Sequence, residues 1–300
     1  MASRAKGPDP NRRRLAAERA AEKRRQIAEQ QQRRRRLVTV AGALGAVVVI
    51  VVVLVVVKVV GDSNKPKSGT KAIVAAPSVA TSLASVPTSV FDTIGLGDAK
   101  APPRPTSGSP LTADGKPRVL YVGAEWCPFC AAERWALALA LERFGDFRGL
   151  QQVSSSPSDS YPNTHTISFA GATYTSSYLA FTGKELQSNQ VSGDHYATLD
   201  TITGTDKQLF EKVGKGGYPF VDLGGSALIT GAQYDPGVLK GKTQTQIAAA
   251  LRQPSSSIAQ GIVGSANLIT ASLCKLTGKA PAAVCSSRAV TTATAALPSS

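Results

Sequence analysis

Two cysteines separated by two residues, Cys127 and Cys130, stand between an apolar run and a long helix-forming one, an order that few folds accommodate. The run before them, Arg118-Val119-Leu120-Tyr121-Val122-Gly123, is short and apolar through its centre, the pattern of a strand covered on both faces. After them, Ala131 to Leu141 is high-propensity helix, ending near Phe144 with Gly145 as its stop. The cysteines therefore sit at a strand-to-helix junction. A thiolate in the first turn of a helix faces unsatisfied N–H groups and the positive end of the dipole, which lower its pKa and make it a nucleophile near neutral pH. Cys127 is the expected attacking thiol. Pro128 suits the first helical position, where no donor is needed. Cys130, one turn in, shares a face with Leu137, Leu141 and Phe144, so it is the expected shielded, resolving thiol that attacks the mixed disulfide and releases the substrate.

Two other uses of such a motif are weighed against this. A zinc site wants a second Cys-x-x-Cys or paired histidines, but His165 and His195 stand 30 residues apart with no ligand spacing between them. A purely structural disulfide across so small a loop would constrain the unfolded chain little.

At these residues the chain resembles the thioredoxin superfamily. Ala124-Glu125-Trp126-Cys127 is similar to the stretch that leads into the active-site dipeptide of many thioredoxins, and Gly216-Gly217-Tyr218-Pro219-Phe220-Val221-Asp222-Leu223 looks like the family's cis-proline loop and the strand leaving it. The likeness runs from Val119 to about Gln253, with Ser226 to Gly231 as the hairpin partner and a helix after it. It implies an α/β thioredoxin-like fold with Cys127, Cys130 and Pro219 as catalytic residues, Pro219 in cis, and Trp126, Phe129 and Tyr218 against the substrate. Two departures stand out. Thioredoxins carry a buried carboxylate six residues before the first cysteine, where this chain has Tyr121; the nearest carboxylate, Glu125, reads first as a solvated loop residue, with substitution for the missing carboxylate as the other reading. Between the first helix and the cis-proline loop lies an insertion, with strands expected at Phe147–Val153 and Thr166–Phe169, the aromatic stretch Tyr174 to Phe181 read as core, and a helix around Asp206 to Val213. Over about Val86 to Cys285 the chain is also similar to an uncharacterised group of prokaryotic thioredoxin-like membrane proteins, the domain of unknown function 929.

The rest of the chain is organised around a membrane. Leu37 to Val57 is 21 residues without a charge, about the thickness of a hydrocarbon core when helical, and reads as one transmembrane helix. A cleaved signal peptide is disfavoured by the 36-residue preamble and the length of the run. Residues 1–36 carry 13 Lys/Arg against 4 Asp/Glu, with Arg33 to Arg36 abutting the helix, so the N-terminus is expected in the cytoplasm and the remainder outside it, where disulfides persist. This tail has no aromatic stacking group and no nucleic-acid module; contact with anionic headgroups is its expected role. Aromatic residues are 6% of the chain and nearly all lie beyond Phe91, which places the core in the C-terminal two thirds. The expected organisation is a basic tail (1–36), a transmembrane helix (37–57), a flexible linker (58–85), the thioredoxin-like domain (86–253), a helical extension (254–288) and a disordered tail (289–300).

In that extension Cys274 and Cys285 are expected to bond to each other and contribute roughly 2–3 kcal/mol, a second redox pair that relays electrons being the rival role. Gly237 to Thr243 is one residue short of a phosphate-binding loop; Thr243 and Gln246 read instead as a helix capping box. Asp194, His195 and Asp200 read as solvated loop residues. The sequence therefore points to a membrane-anchored extracytoplasmic thiol-disulfide oxidoreductase. Its substrates would be proteins with cysteines, its electrons would reside in the cysteines without a further cofactor, and a membrane or soluble thiol partner would recharge it. A non-catalytic binding or assembly module with a structural disulfide is the alternative, and a tethered peroxidase or sensor a more distant one.

Overall fold

The structure, a computed structural model, describes residues 66–74 and 77–298; the basic tail, the apolar run Leu37–Val57 and the first part of the expected linker lie outside the described residues. The described chain starts with strand β1 (Ile73–Val74) and helices α1 (Pro77–Ala84) and α2 (Thr88–Ile94). Strands β2 (Arg104–Pro105), β3 (Thr112–Ala113) and β4 (Lys116–Gly123) lead into helix α3 (Pro128–Leu141). Seven strands follow: β5 (Gly145–Arg148), β6 (Gln151–Ser154), β7 (His165–Ser168), β8 (Thr173–Ser176), β9 (Ala180–Glu185), β10 (Gln187–Ser192) and β11 (His195–Thr198). Helix α4 (Gly204–Gln208) runs on into a π-helical turn over Leu209–Val213, before β12 (Phe220–Leu223) and β13 (Ala227–Thr230). The chain closes with α5 (Gln244–Ala250), α6 (Ser257–Leu276), α7 (Ala282–Cys285) and α8 (Arg288–Ala296).

Strand β4 is central to a mixed sheet, antiparallel to β12 on one side and parallel to β9 on the other, with β13 and β2 beyond β12. Its residues alternate between two cores. Val119 and Tyr121 join the large cluster that contains α3 and α6, while Leu120 and Val122 pack with Leu111, Phe210, Phe220 and Leu228 on the other face. Burial on both sides is why this run is continuously apolar.

Helix α3 is enclosed: every residue from Cys130 to Leu141 is buried. A helix apolar all round belongs inside a protein, and α6 covers much of it. Helix α6 is long and apolar enough to cross a membrane by length and composition, yet it is a core helix here, with 89% of its apolar window buried. Its inward polar residue Asn267 donates to the carbonyls of Phe91 (3.1 Å) and Gly95 (2.7 Å) and accepts from Arg143 Nη1 (3.3 Å), so burial leaves that amide satisfied.

Several expectations are corrected. Within the expected linker, the described part is held to the folded unit: Gly69 N–H donates to Asn189 O (2.8 Å), Thr70 N–H to Ser154 Oγ (2.7 Å), and Val79 and Leu83 of α1 are buried. The expected helical extension is part of the core, because α6 lies on α3, and the described residues form one unit. Helix α8 occupies the expected disordered tail. Its Ala289, Val290 and Ala293 are buried, and Asp92 Oδ1 accepts the Ala289 N–H at 2.8 Å, satisfying one of the free donors of its first turn. The single strand expected over Phe147–Val153 is broken into β5 and β6 at Gly149, whose φ of +74° ends an extended run. Tyr174, Tyr178 and Phe181 are half-buried and pack against the core, with Tyr174 on strand β8 and Phe181 on β9, where they meet Phe147 and Phe169. The capping box of α5 is present as expected, Thr243 and Gln246 bonding each other's backbone N–H.

A candidate thiol site at the start of helix α3

Cys127 is the N-cap of α3, in extended backbone (φ −76°, ψ 121°), with Pro128 opening the helix. Its sulfur accepts the backbone N–H of Cys130 at 3.3 Å, the bond a capping oxygen would ordinarily take. Both cysteines are thiols; Cys127 is 4% exposed and Cys130 is fully covered. Their environments pull them apart. The Cys127 thiol is lowered first by a hydrogen bond from the Cys130 side chain, then by the N–H groups of Cys130 and Phe129 and the charge of Arg134, against the opposing cost of burial. Burial pushes Cys130 well up, and the neighbouring Cys127 adds to it. The two environments thus favour the charged form of Cys127 and the neutral form of Cys130.

The residues that sequence reasoning grouped with these cysteines come together. Ala124 packs in one cluster with the two cysteines, and Trp126 and Tyr218 lie against it. The Tyr218–Pro219 peptide is cis and leads into β12, whose Phe220 pairs with Val122 at the end of β4 from which the cysteines are delivered. Phe129 is 39% exposed beside the sulfurs and meets Tyr161 edge to face at 5.6 Å. Trp126 stacks on Tyr196 at 5.2 Å and donates its Nε1–H to Gln187 Oε1 at 3.0 Å. Tyr161 and Tyr196, both from the insertion, complete an aromatic rim beside a groove of about 360 Å³ lined by Pro66, Trp126, Ser156, Asp159 and Tyr196.

Beneath the sulfurs lies a buried polar cluster. Arg134, fully covered, donates through Nη1 to both carboxylate oxygens of Glu185 (3.0 and 2.9 Å), to Tyr121 Oη (3.3 Å) and to Ala124 O (3.3 Å). Burial pushes Glu185 up to about 7 against the pull of that guanidinium. Glu125 is not a solvated loop residue: it is buried, accepting from Ser168 Oγ at 2.8 Å and from the Asn189 N–H at 3.3 Å. Glu133, one position before Arg134, is wholly buried and pushed up to about 8 by desolvation, eased only by the Gln233 N–H. Sequence reasoning missed Arg134 and Glu185 as site residues. The available signal was two adjacent charged residues, Glu133 and Arg134, inside a helix otherwise apolar on every side.

Elsewhere, Cys274 and Cys285 are bonded, their Cα atoms 5.6 Å apart. Asn267 of α6 meets Arg143 just past the end of α3, about 20 Å from Cys130 at about 1.5 Å per residue, and Cys274 lies two turns further along α6. Earlier in α6, Gly261 lies against the ring of Tyr234, whose hydroxyl donates to Ala132 O at 2.8 Å near the start of α3, so α6 runs alongside α3 in the same direction and carries Cys274 away from Cys127. His195 is exposed, and the main-chain oxygen of His165 accepts from Trp135. Among the described residues no three His, Cys, Asp or Glu side chains are grouped to hold a metal.

No curated protein and no solved structure matches this chain. Over residues 105–201, a stretch that carries β4, both cysteines of the site, Arg134 and Glu185, the chain is similar to the family described as Domain of unknown function (DUF929), a narrower span than the Val86–Cys285 expected from its sequence.

Proposed function

We propose that this protein is a membrane-anchored, extracytoplasmic thiol-disulfide oxidoreductase with a thioredoxin-like site. The observation that carries the reading is the asymmetry of one pair: Cys127 caps a helix with its sulfur and is lowered, while Cys130, one turn in, is sealed and raised. The aromatic rim beside the cysteines supports a polypeptide substrate. The anchor and its orientation rest on the apolar run Leu37–Val57 and the basic residues before it.

In the reducing direction, the Cys127 thiolate attacks one sulfur of a client disulfide, forming a mixed disulfide and expelling the other client sulfur. That sulfur takes the Cys130 proton. The Cys130 thiolate then attacks Cys127, the Cys127–Cys130 disulfide forms, and the second client sulfur leaves as a thiolate that water protonates. Two electrons pass from the dithiol to the client; client oxidation is the same sequence in reverse.

Cys130→Ser should accumulate mixed disulfides with client proteins through Cys127 in the native host. Non-reducing electrophoresis checks this, and a folded, expressed variant that traps nothing would point to the binding-module alternative. On intact cells a membrane-impermeant thiol reagent should label Cys127. Labelling only after lysis would reverse the orientation.

A further inference from the structure

The guanidinium of Arg134 is fully buried, yet its four contacts all run through Nη1; Nε and Nη2 are buried with no partner among the described residues. An arginine kept for a carboxylate normally engages it with both arms of the fork, and each buried donor left unpaired is destabilising. A buried ion pair is in any case poor for stability, since apolar replacements of similar volume are often as stable. Its position suggests another use. Arg134 stands four residues after Cys130, on the same face of α3, and holds the carbonyl of Ala124, which packs in one cluster with both cysteines.

We propose that Arg134 is the positive charge that holds the thiolate of the Cys127–Cys130 pair during exchange, and that Glu185 tempers it. This rests on the thiol-exchange reading. When Cys130 gives up its proton to the departing client sulfur, an anion forms in a place with no water to solvate it, and a fixed guanidinium with spare donors offsets that cost. Arg134 acts on the sulfurs as a positioning charge. The other ionisable groups that feel this cluster are Tyr121 on β4, Glu125 in the loop before Cys127, Glu185 on β9 and Tyr218 ahead of Pro219. Arg134 favours both thiolates, whereas Glu185 opposes that of Cys130.

The sign of two variants tests the inference in the full-length protein in detergent. Thiolate absorbance of the Cys127–Cys130 pair and alkylation of Cys127 are read across pH, with thermal unfolding as the control for folding. Glu185→Gln removes the opposing charge that Glu185 carries above about pH 7, so the titration of the thiol pair should move to lower pH and alkylation at pH 8 should quicken. Arg134→Met combined with Glu185→Gln removes both charges at similar volume, so titration should move to higher pH and alkylation at pH 6 should slow by roughly threefold or more. A structural role would move neither profile. Unmoved profiles in the folded variants, or shifts in the same direction, overturn the inference. Should the double variant fail to fold, Glu185→Gln decides alone: no shift to lower pH overturns it. A wild-type Cys127 no more reactive than Cys130 would instead sink the exchange reading itself.

Discussion

Glu133→Gln is expected to raise the melting temperature by roughly 10 °C at pH 8 and to leave it almost unchanged at pH 4. Glu133 is sealed within α3; its Oε2 accepts the Gln233 N–H at 3.0 Å, and its Oε1 is buried with no partner among the described residues. Desolvation raises its folded pKa from the ordinary 4.5 to about 8. A raised folded pKa means that the folded state prefers the neutral acid. Its contribution is therefore fully present below pH 4.5 and is lost progressively as pH rises through about 8. At roughly 1.4 kcal/mol per unit, the loss by pH 8 is of the order of 4 kcal/mol. Glutamine keeps the acceptor for Gln233 and carries no charge, so the variant escapes that loss. Glu185 and Glu142, each pushed up to about 7 by burial, act in the same direction and leave some pH dependence in the variant. The decisive quantity is thus the difference between the two proteins. A stability gain equal at pH 4 and pH 8, measured by thermal unfolding, would show that Glu133 is not held neutral.

Replacing both Cys274 and Cys285 by Ser should lower stability by roughly 2–3 kcal/mol while leaving the reactivity of Cys127 unchanged. The bond joins the end of α6 to α7, and through it constrains α8, whose three buried residues and single capping bond from Asp92 give it a small share of the core. Arg143 adds one further tie, donating to Ser287 Oγ at 3.3 Å. Without the disulfide, α7 and α8 should be the first part of the domain to open. Hydrogen exchange would localise the loss there. The separation of this bond from Cys130 argues that electrons do not pass directly between the two pairs. An unaltered melting temperature together with turnover that stops after one round would reverse the assignment and make the pair a relay.

Part of this protein is legible in its amino-acid order alone, and the reason is range. The start of α3 is specified by residues in immediate succession: an apolar strand, Cys127 as cap, Pro128 at the first position, then an Ala- and Leu-rich helix. The capping box at Thr243 and the pairing of Cys274 with Cys285 are likewise short-range, set by three and eleven residues of separation. Charge and burial are misread wherever they depend on chain far away. Glu125 takes its hydrogen bonds from Ser168 and Asn189, and Arg134 finds Glu185 at a distance of 51 residues, so neither can be told from a solvated side chain until β7, β9 and β10 close around α3. The Ala- and Thr-rich stretch after Ser287 carries too little apolar surface to announce a helix; the surface of α6, the bond to Cys285 and the carboxylate of Asp92 supply what it lacks. Where the two thiols stand, and which of them caps a helix, follows from the order of adjacent residues, because both are properties of near neighbours along the chain. How strongly each sulfur holds its proton is settled by tertiary packing, because desolvation and the field of a buried ion pair exist only once distant segments exclude water together.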